Sequence, residues 1–510
     1  MNLTLRRSPS HALSNGHILL GEVPKRQTMS EVPLVVDLDN CLLRTDLLLE
    51  SASAYLTANP FRVGRLIGWL WRGRAHLKRK LAENTSLDID VMPINASVER
   101  LIRQAKSAGR QVYLATGADE LLARKFAARL DIFDGVIASD GTRNLKGSSK
   151  VAGICQLVPH GFDYVGDSFD DLHVWRHAEK VIAIEPSATL QRSATSLGKP
   201  VTFLGTSAPQ STALFEAARL HQWAKNTLVF VPALLAGQIA HVEVLASCSA
   251  AFLAMGLIAF GTYLINDLWD LPHDRRHPTK CKRPLASGRL SIAAAMVASP
   301  LLILLALGLG AAANAATATA LLAYLALTLA YSMGIKAQPV LDTVTLGALF
   351  TMRFVVGIAA AGVATSPWLL VFSMFLFTSL CLAKRSAEIH SMQRAGEISV
   401  AGRGYVIADA PFVLCLGLAT ATASVLIMVL YLTFDAFNQN FYDDPRWLWG
   451  LPVSLFLWIT HIWLVGHRGE LDEDPVAFAL KDRRSLILGG IAAGSFLLAW
   501  AGSPTSAPVI

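Results

Sequence analysis

The sequence predicts a two-part chain: an α/β domain built on a doubly wound parallel sheet, then an all-α bundle of about nine transmembrane helices. Three observations predict it. Of the 510 residues, 53% are hydrophobic and only 16% charged, where an ordinary soluble protein carries about 25% charged residues. Nearly all the excess apolarity lies after residue 226. Between 32 and 186, by contrast, short apolar runs alternate with helical stretches, the pattern of βα units.

The membrane part rests on apolar runs near 226–240, 246–266, 291–311, 313–332, 339–363, 366–383, 409–433, 447–465 and 485–502. Most reach roughly the 20 residues that cross a bilayer core. Basic residues crowd into alternate loops: Arg275 to Arg289, Lys336, Lys384 to Arg403, and Arg468 to Arg484. The opposite loops offer only Arg446. By the positive-inside rule this predicts a multi-pass protein of a bacterial inner (plasma) membrane, with its N-terminal domain cytoplasmic. The net charge of +7 is then accounted for by loops facing anionic lipid, and no nucleic-acid partner is expected. Six cysteines without a CxxC pair suggest neither zinc nor a disulfide framework. Residues 1–30 carry Arg6, Arg7, Lys25 and Arg26 without a continuous apolar core, so a disordered leader is expected there and not a signal peptide.

In the first part, strands are predicted at 33–37, 111–115, 134–138, 163–166 and 180–184. Ligands of doubly wound sheets bind at the carboxyl ends of strands, so the polar residues there are the candidates. They are Asp37 and Asp39, then Thr116, then Lys150, then Asp167 and Asp171. That set can build a phosphoryl-transfer site. Asp37 can attack phosphorus to form an aspartyl phosphate. Asp39 can protonate the leaving oxygen and then deprotonate water. Asp37, Asp167 and Asp171 can hold Mg²⁺, while Thr116 and Lys150 bind phosphate oxygens; Lys146 competes for the lysine role. DxD, T, K and GDxxxD in this order resemble the haloacid dehalogenase superfamily over residues 31–190. The resemblance implies a phosphatase with a small helical cap at about 46–95. Within that cap, Arg65 to Lys80 mixes Trp69 and Trp71 with basic residues, which suits either packing inside the cap or a helix lying on an anionic membrane. Residues 191–218, rich in Ser, Thr and Ala, are expected to be a linker to the membrane domain at 219–505.

The loop after the second apolar run reads Asn266-Asp267-Leu268-Trp269-Asp270-Leu271-Pro272-His273-Asp274 and continues into a basic stretch. On a helix, carboxylates at i, i+3 and i+7 stack on one face. Like charges this close call for a cation, and oxygen-only ligands suit Mg²⁺ bridging to substrate phosphates. The basic residues that follow can take the remaining phosphate oxygens. Asp342 and Arg353 lie within an apolar run; each is either a functional group or half of an internal ion pair.

NDxxDxxxD after the second helix, with Tyr331-Ser332 and Lys336 after the fourth, resembles the UbiA-type polyprenyl transferase superfamily over about residues 215–505. Typical members carry a second DxxxD after helix six. Here the position reads Lys384-Arg385-Ser386-Ala387-Glu388. That departure, with Gln222 to Asn226 at the start of the bundle, looks like the polyprenyl-phosphate phosphoribosyltransferase branch. The resemblance implies Mg²⁺ and pyrophosphate held by Asp267, Asp270 and Asp274, and a leaving group neutralised by Lys280, Lys282 and Arg283. It further implies a lipid phosphate seated by Lys384 and Arg385 beside Glu388, with Lys225, Asn226, Asn266, Lys336 and Arg353 as further substrate contacts. The expected partners are a polyprenyl lipid, a phosphorylated small molecule and the membrane; oligomeric state is left open. Two other readings stand beside this one: a prenyltransferase acting on an aromatic or quinone precursor, and a non-enzymatic lipid-binding or transport protein.

Overall fold

The computed structural model describes residues 32–206, 209–395, 404–438, 442–471 and 475–501. The leader expected at 1–30 and Arg403 lie outside them. The chain divides into two compact units. The first takes residues up to Leu42, then Arg74–Arg79 and Ile94–Thr206; the second takes Leu43–Gly73, Lys80–Pro93 and Ser207–Ile510.

The first unit is a six-stranded parallel sheet. Its strands are β1 (Leu34–Val36), β2 (Val112–Asp119), β3 (Gly135–Ser139), β4 (Asp163–Gly166), β5 (Val181–Ile184) and β6 (Val201–Leu204). The spatial order is β3-β2-β1-β4-β5-β6, a doubly wound arrangement. Its apolar core joins Val35, Ala115, Phe162, Tyr164 and Trp175. Crossovers on either side of β1 leave in opposite directions, so the crevice outside the ends of β1 and β4 is the topological switch point. Five strands fall where the sequence placed them. The expected linker at 191–218 does not exist as such: Val201–Leu204 pairs with β5, and helices Ala188–Thr195 and Gln210–Ala217 flank it. Its Ser, Thr and Ala content hid a short β-branched and aromatic strand set between Pro200 and Gly205.

Between β1 and β2 the chain runs through α1 (Leu47–Ala58), α2 (Val63–Trp71), α3 (Arg74–Asn84) and α4 (Ala96–Ser107). Asp46 starts α1 by accepting the Leu48 and Leu49 amides, a side-chain N-cap. Helices α5 (Glu120–Leu130) and α6 (Ser148–Leu157) follow β2 and β3. The cap expected at 46–95 is helical, but most of it clusters with the membrane helices; of this insertion only Arg74–Arg79 and the stretch from Ile94 group with the sheet.

The second unit holds α7 (Val242–Trp269), α8 (Ile292–Ala313), α9 (Ala315–Met333), α10 (Leu341–Ala361), α11 (Pro367–Ala395), α12 (Ala410–Phe434), α13 (Gly450–Arg468) and α14 (Arg483–Ala501). Among the described residues, seven helices, α7 to α13, are long and apolar enough to cross a membrane. Leu301, Leu304 and Leu305 on α8 and Phe456 and Leu457 on α13 face outward, as lipid-facing side chains must. The run expected to span at 226–240 is a 3₁₀ stretch, Leu220–Phe230, followed by one short turn, Val231–Leu235. It is not a continuous spanning helix, being interrupted by Pro232 and Gly237, yet the segment runs from Arg219, bonded to Asp267 at one end of α7, to Val242 at the other.

Helix α1 packs against α7 and α8, and Leu49 joins an apolar cluster with Leu264, Leu271 and Leu285 at their loop ends. Gly288 sits against the Arg44 carbonyl, where a Cβ would come within 2.4 Å, and its φ of +74° suits glycine alone.

Candidate active sites

The first site forms at the ends of β1 and β4. Asp37, Asp167 and Asp171 each offer an oxygen within 4.8 Å of the others. Lys150, at the start of α6, reaches Asp37 Oδ2 at 2.8 Å and Asp171 Oδ1 at 3.5 Å. Lys146 instead pairs with Asp170 at the surface. Asp171 accepts from the Tyr164 hydroxyl at 2.9 Å and from the Asp167 and Ser168 amides at 3.1 Å. Gly166 makes this possible, since a Cβ there would lie 2.7 Å from the Asp171 carboxyl. Thr116 is buried at the second strand end and its hydroxyl accepts the Ala118 amide at 3.0 Å. Asp39 is partly exposed, and the next residue, Asn40, turns left-handed at φ +55°. From α3, Lys78 donates to the Gly117 carbonyl at 2.5 Å and to Asn144 at 3.0 Å, placing a further cation beside that strand end.

Burial dominates the electrostatics. It raises the Asp37 carboxyl to about 6, Lys150 pulling it down and Asp171 pushing it up. Asp167 goes well above the usual carboxylate range, by burial and then by Asp171 and Asp37. For Asp171 burial acts upward, but Lys150, Tyr164 and Ser168 together hold it below its ordinary value. Three crowded oxygen donors, two of them resisting ionisation, fit a hard divalent cation such as Mg²⁺. Cys41, which the sequence places in this motif, is a buried thiol held protonated by burial and by Asp167, and packs as a small apolar group.

The second site lies at the end of α7. Each carboxylate of NDxxDxxxD meets a cation, Asp267 and Asp274 sharing Arg283 while Asp270 turns to Lys336. Asp267 takes a forked hydrogen bond from Arg219 at 2.6 and 2.8 Å. Arg283 Nη1 touches both Asp274, at 2.6 Å, and Asp267, at 3.3 Å. Lys336 reaches Asp270 at 2.6 Å, and Asn266 donates to the same carboxylate at 3.2 Å. Burial pushes the Asp274 carboxyl up, with Arg283 opposing. These carboxylates are thus matched by Arg219, Arg283 and Lys336, whereas among the described residues the group of three acidic oxygens within 4.8 Å is the one at Asp37, Asp167 and Asp171. Lys280 and Lys282 stand exposed in the loop that follows the α7 carboxylates. Arg219, which the sequence reading assigned to no role, was hidden because it lies outside the motif and 48 residues from its partner.

A third cluster lies among the spans. Arg353 is buried, donates to Asn226 at 3.1 Å and to the Leu349 carbonyl at 2.7 Å, and stacks on Phe350 and Tyr324. Lys225 sits over the other side of this group, 5.4 Å from the Phe350 ring. Asp342 does not pair with Arg353. It binds Arg385 at 2.8 Å and the Tyr405 hydroxyl at 2.6 Å, and Arg385 also binds Glu388. Arg385 is 1% exposed. Its guanidinium, expected to seat the lipid phosphate, is met by the carboxylates of Asp342 and Glu388. Lys384, one residue earlier, is partly exposed.

Seven helices long and apolar enough to cross a membrane, with carboxylates matched by cations at the end of α7, mark an integral membrane protein. The chain belongs to the UbiA prenyltransferase family, whose profile matches residues 227–481. It is 39% identical over 474 residues to the uncharacterized protein y4nM of Sinorhizobium fredii, covering 92% of this chain and 91% of that one. It is 33% identical over 285 residues to nodulation protein NoeC of Azorhizobium caulinodans, covering 56% of this chain and 92% of that one. It is 32% identical over 275 residues to decaprenyl-phosphate phosphoribosyltransferase of Mycobacterium tuberculosis, covering 52% of this chain and 87% of that one.

Proposed function

We propose that the membrane unit transfers a phosphoribosyl group from phosphoribosyl pyrophosphate to a polyprenyl phosphate, and that the sheet unit removes the 5-phosphate from the product. The observation that carries the first step is the similarity to decaprenyl-phosphate phosphoribosyltransferase, which spans 87% of that protein. The Arg385–Asp342–Glu388 network supports it, because it stands where ordinary members place a second pair of metal-binding carboxylates.

In the transfer, a phosphate oxygen of the lipid bonds to C1 of the ribose while the bond from C1 to pyrophosphate breaks. No base is needed, since the attacking phosphate is already anionic. Arg219, Arg283 and Lys336 turn from the carboxylates to the departing phosphates, with Lys280 and Lys282 adding charge; Lys225, Arg353 and Lys384 hold the lipid phosphate. An apolar cleft of about 460 Å³, lined by Leu327, Met352, Leu370, Met374 and Phe375 among others, offers hydrocarbon surface to the polyprenyl chain. In the sheet unit Asp37 attacks phosphorus and Asp39 protonates the leaving oxygen, then deprotonates the water that frees phosphate. Lys150 and Thr116 hold the phosphate oxygens. Mg²⁺ held by Asp37, Asp167 and Asp171, or by Asp267, Asp270 and Asp274, would supply neutralisation of phosphate charge at each site. The positive-inside pattern supports a cytoplasmic N-terminal unit in a bacterial inner membrane.

The test is to give the purified full chain labelled phosphoribosyl pyrophosphate, Mg²⁺ and polyprenyl phosphate. A labelled lipid followed by inorganic phosphate is expected. No labelled lipid sinks the first step, and labelled lipid without phosphate release sinks the second.

A further inference from the structure

Helix α2 has no buried residue. Val63, Ile67, Leu70 and Trp71, at i, i+4, i+7 and i+8, share one arc and all are exposed; Trp71 is 87% exposed and Phe61, just before the helix, 91%. The helix is held from one side only. Trp69 meets the Tyr55 ring of α1 at 5.1 Å, and Arg62 lies over the same ring at 5.3 Å. An apolar stripe of this size left in water is costly and calls for an occupant.

Charge says which occupant. From Ser51 to Ala82 the chain holds no acidic residue, while Arg62, Arg65, Arg72 and Arg74 flank the apolar arc. Tryptophan among arginines on a short helix matches the boundary of acyl chains and anionic headgroups, where the rings enter lipid and the guanidinium groups stay at phosphate level. Position agrees. Helix α1 is fixed to the loop ends of α7 and α8, and its 12 residues extend only about 18 Å from there. That end of the spans is where the bilayer surface lies.

We propose that the Phe61–Trp71 face of α2 is a lipid-contact surface, seated in the anionic headgroup boundary of the same membrane that the spans cross. The proposal rests on the membrane reading of α7 to α13 and not on either reaction.

Spin labels test it in the full chain, reconstituted in vesicles of phosphatidylethanolamine and phosphatidylglycerol. Cys155, Cys281 and Cys415 are first replaced by serine, and a label is placed through Ile67→Cys, Trp71→Cys or Arg65→Cys. Labels at 67 and 71 are expected to be reached by oxygen and shielded from a water-soluble nickel chelate, with the reverse at 65. Equal chelate access at all three positions overturns the proposal. Shielding that disappears when protein is diluted into excess lipid also overturns it, assigning the face to a second copy of the chain. Weaker shielding when phosphatidylglycerol is omitted supports the charge argument.

Discussion

Glu50 and Arg275, 225 residues apart in sequence, form a buried ion pair. Each side chain is only 5% exposed, and Arg275 Nη2 lies 2.5 Å from Glu50 Oε1. The Thr45 hydroxyl donates to the same carboxylate at 2.6 Å. Arg275 directly follows Asp274, so the insertion grips the loop that carries the second site. Glu50→Ala leaves a buried guanidinium unpaired and should cost about 3–5 kcal/mol. Its apparent Tm should fall clearly below that of the parent chain. Glu50→Leu combined with Arg275→Met should recover most of the loss; if the double variant is as unstable as the single one, the pair is not what holds the loop.

Asp37 predicts an unusual trade. Its carboxyl is raised from 3.8 to about 6, so the folded chain keeps a proton there that the unfolded chain releases. The stabilisation is complete below pH 3.8 and disappears as pH rises through about 6. At pH 7 the ionised group therefore costs about 3 kcal/mol. Asp37→Asn should unfold at a higher temperature than the parent at pH 7, with no difference near pH 4. A higher midpoint at both pH values would assign the effect to something other than this ionisation.

The same substitution should separate the two reactions. Losing a nucleophile commonly lowers a rate by on the order of 10³-fold or more. Phosphate release by Asp37→Asn should fall by at least that much, while formation of labelled lipid is unchanged.

Arg283 bridges Asp267 and Asp274, and the proposed donor site enlists it for the pyrophosphate. Hydrogen bonds to charged groups are worth about 1.5–3 kcal/mol. Arg283→Ala should weaken phosphoribosyl pyrophosphate binding by roughly 10- to 100-fold in calorimetric titration. Unchanged affinity would remove Arg283 from the donor site.

Arg385 should behave as a structural residue. Arg385→Lys can reach only one of its two carboxylates. The apparent Tm should fall, while the KM for polyprenyl phosphate stays within about twofold, well under the tenfold that 1.4 kcal/mol of lost binding would produce. A large rise in KM at constant Tm would restore Arg385 to the lipid-phosphate site.

Much of this molecule could be read from its residues, because the informative signals are local. Asp37 and Asp167 follow short apolar runs with polar punctuation and Lys150 opens a helix; in the fold Lys150 reaches Asp37, and Asp37, Asp167 and Asp171 share one group of oxygens. The carboxylates of the α7 loop are one helix turn or two apart, which made the motif itself legible. What escaped notice depends on partners distant in sequence. Tyr164 under Asp171, Arg219 on Asp267 and Asp342 on Arg385 are tertiary choices that no spacing announces. The β6 strand was missed because its four residues, Val201 to Leu204, make a short run inside a Ser-, Thr- and Ala-rich stretch and take their place by pairing with β5. The stretch at Leu220–Phe230 is wound as 3₁₀ and turns Asn226 toward Arg353, a detail that hydropathy alone cannot see.

The insertion has a consequence for how such a chain could have arisen or be taken apart. Residues 43–73 and 80–93 precede strands β2 to β6 in sequence, yet they cluster with helices that come after them. A single scission near residue 206 would not release two self-sufficient proteins. The C-terminal piece would lose the segment that covers Leu264, Leu271 and Leu285, and the N-terminal piece would carry that segment away with its apolar side bare. The two units are interleaved along the sequence, so no single cut separates them.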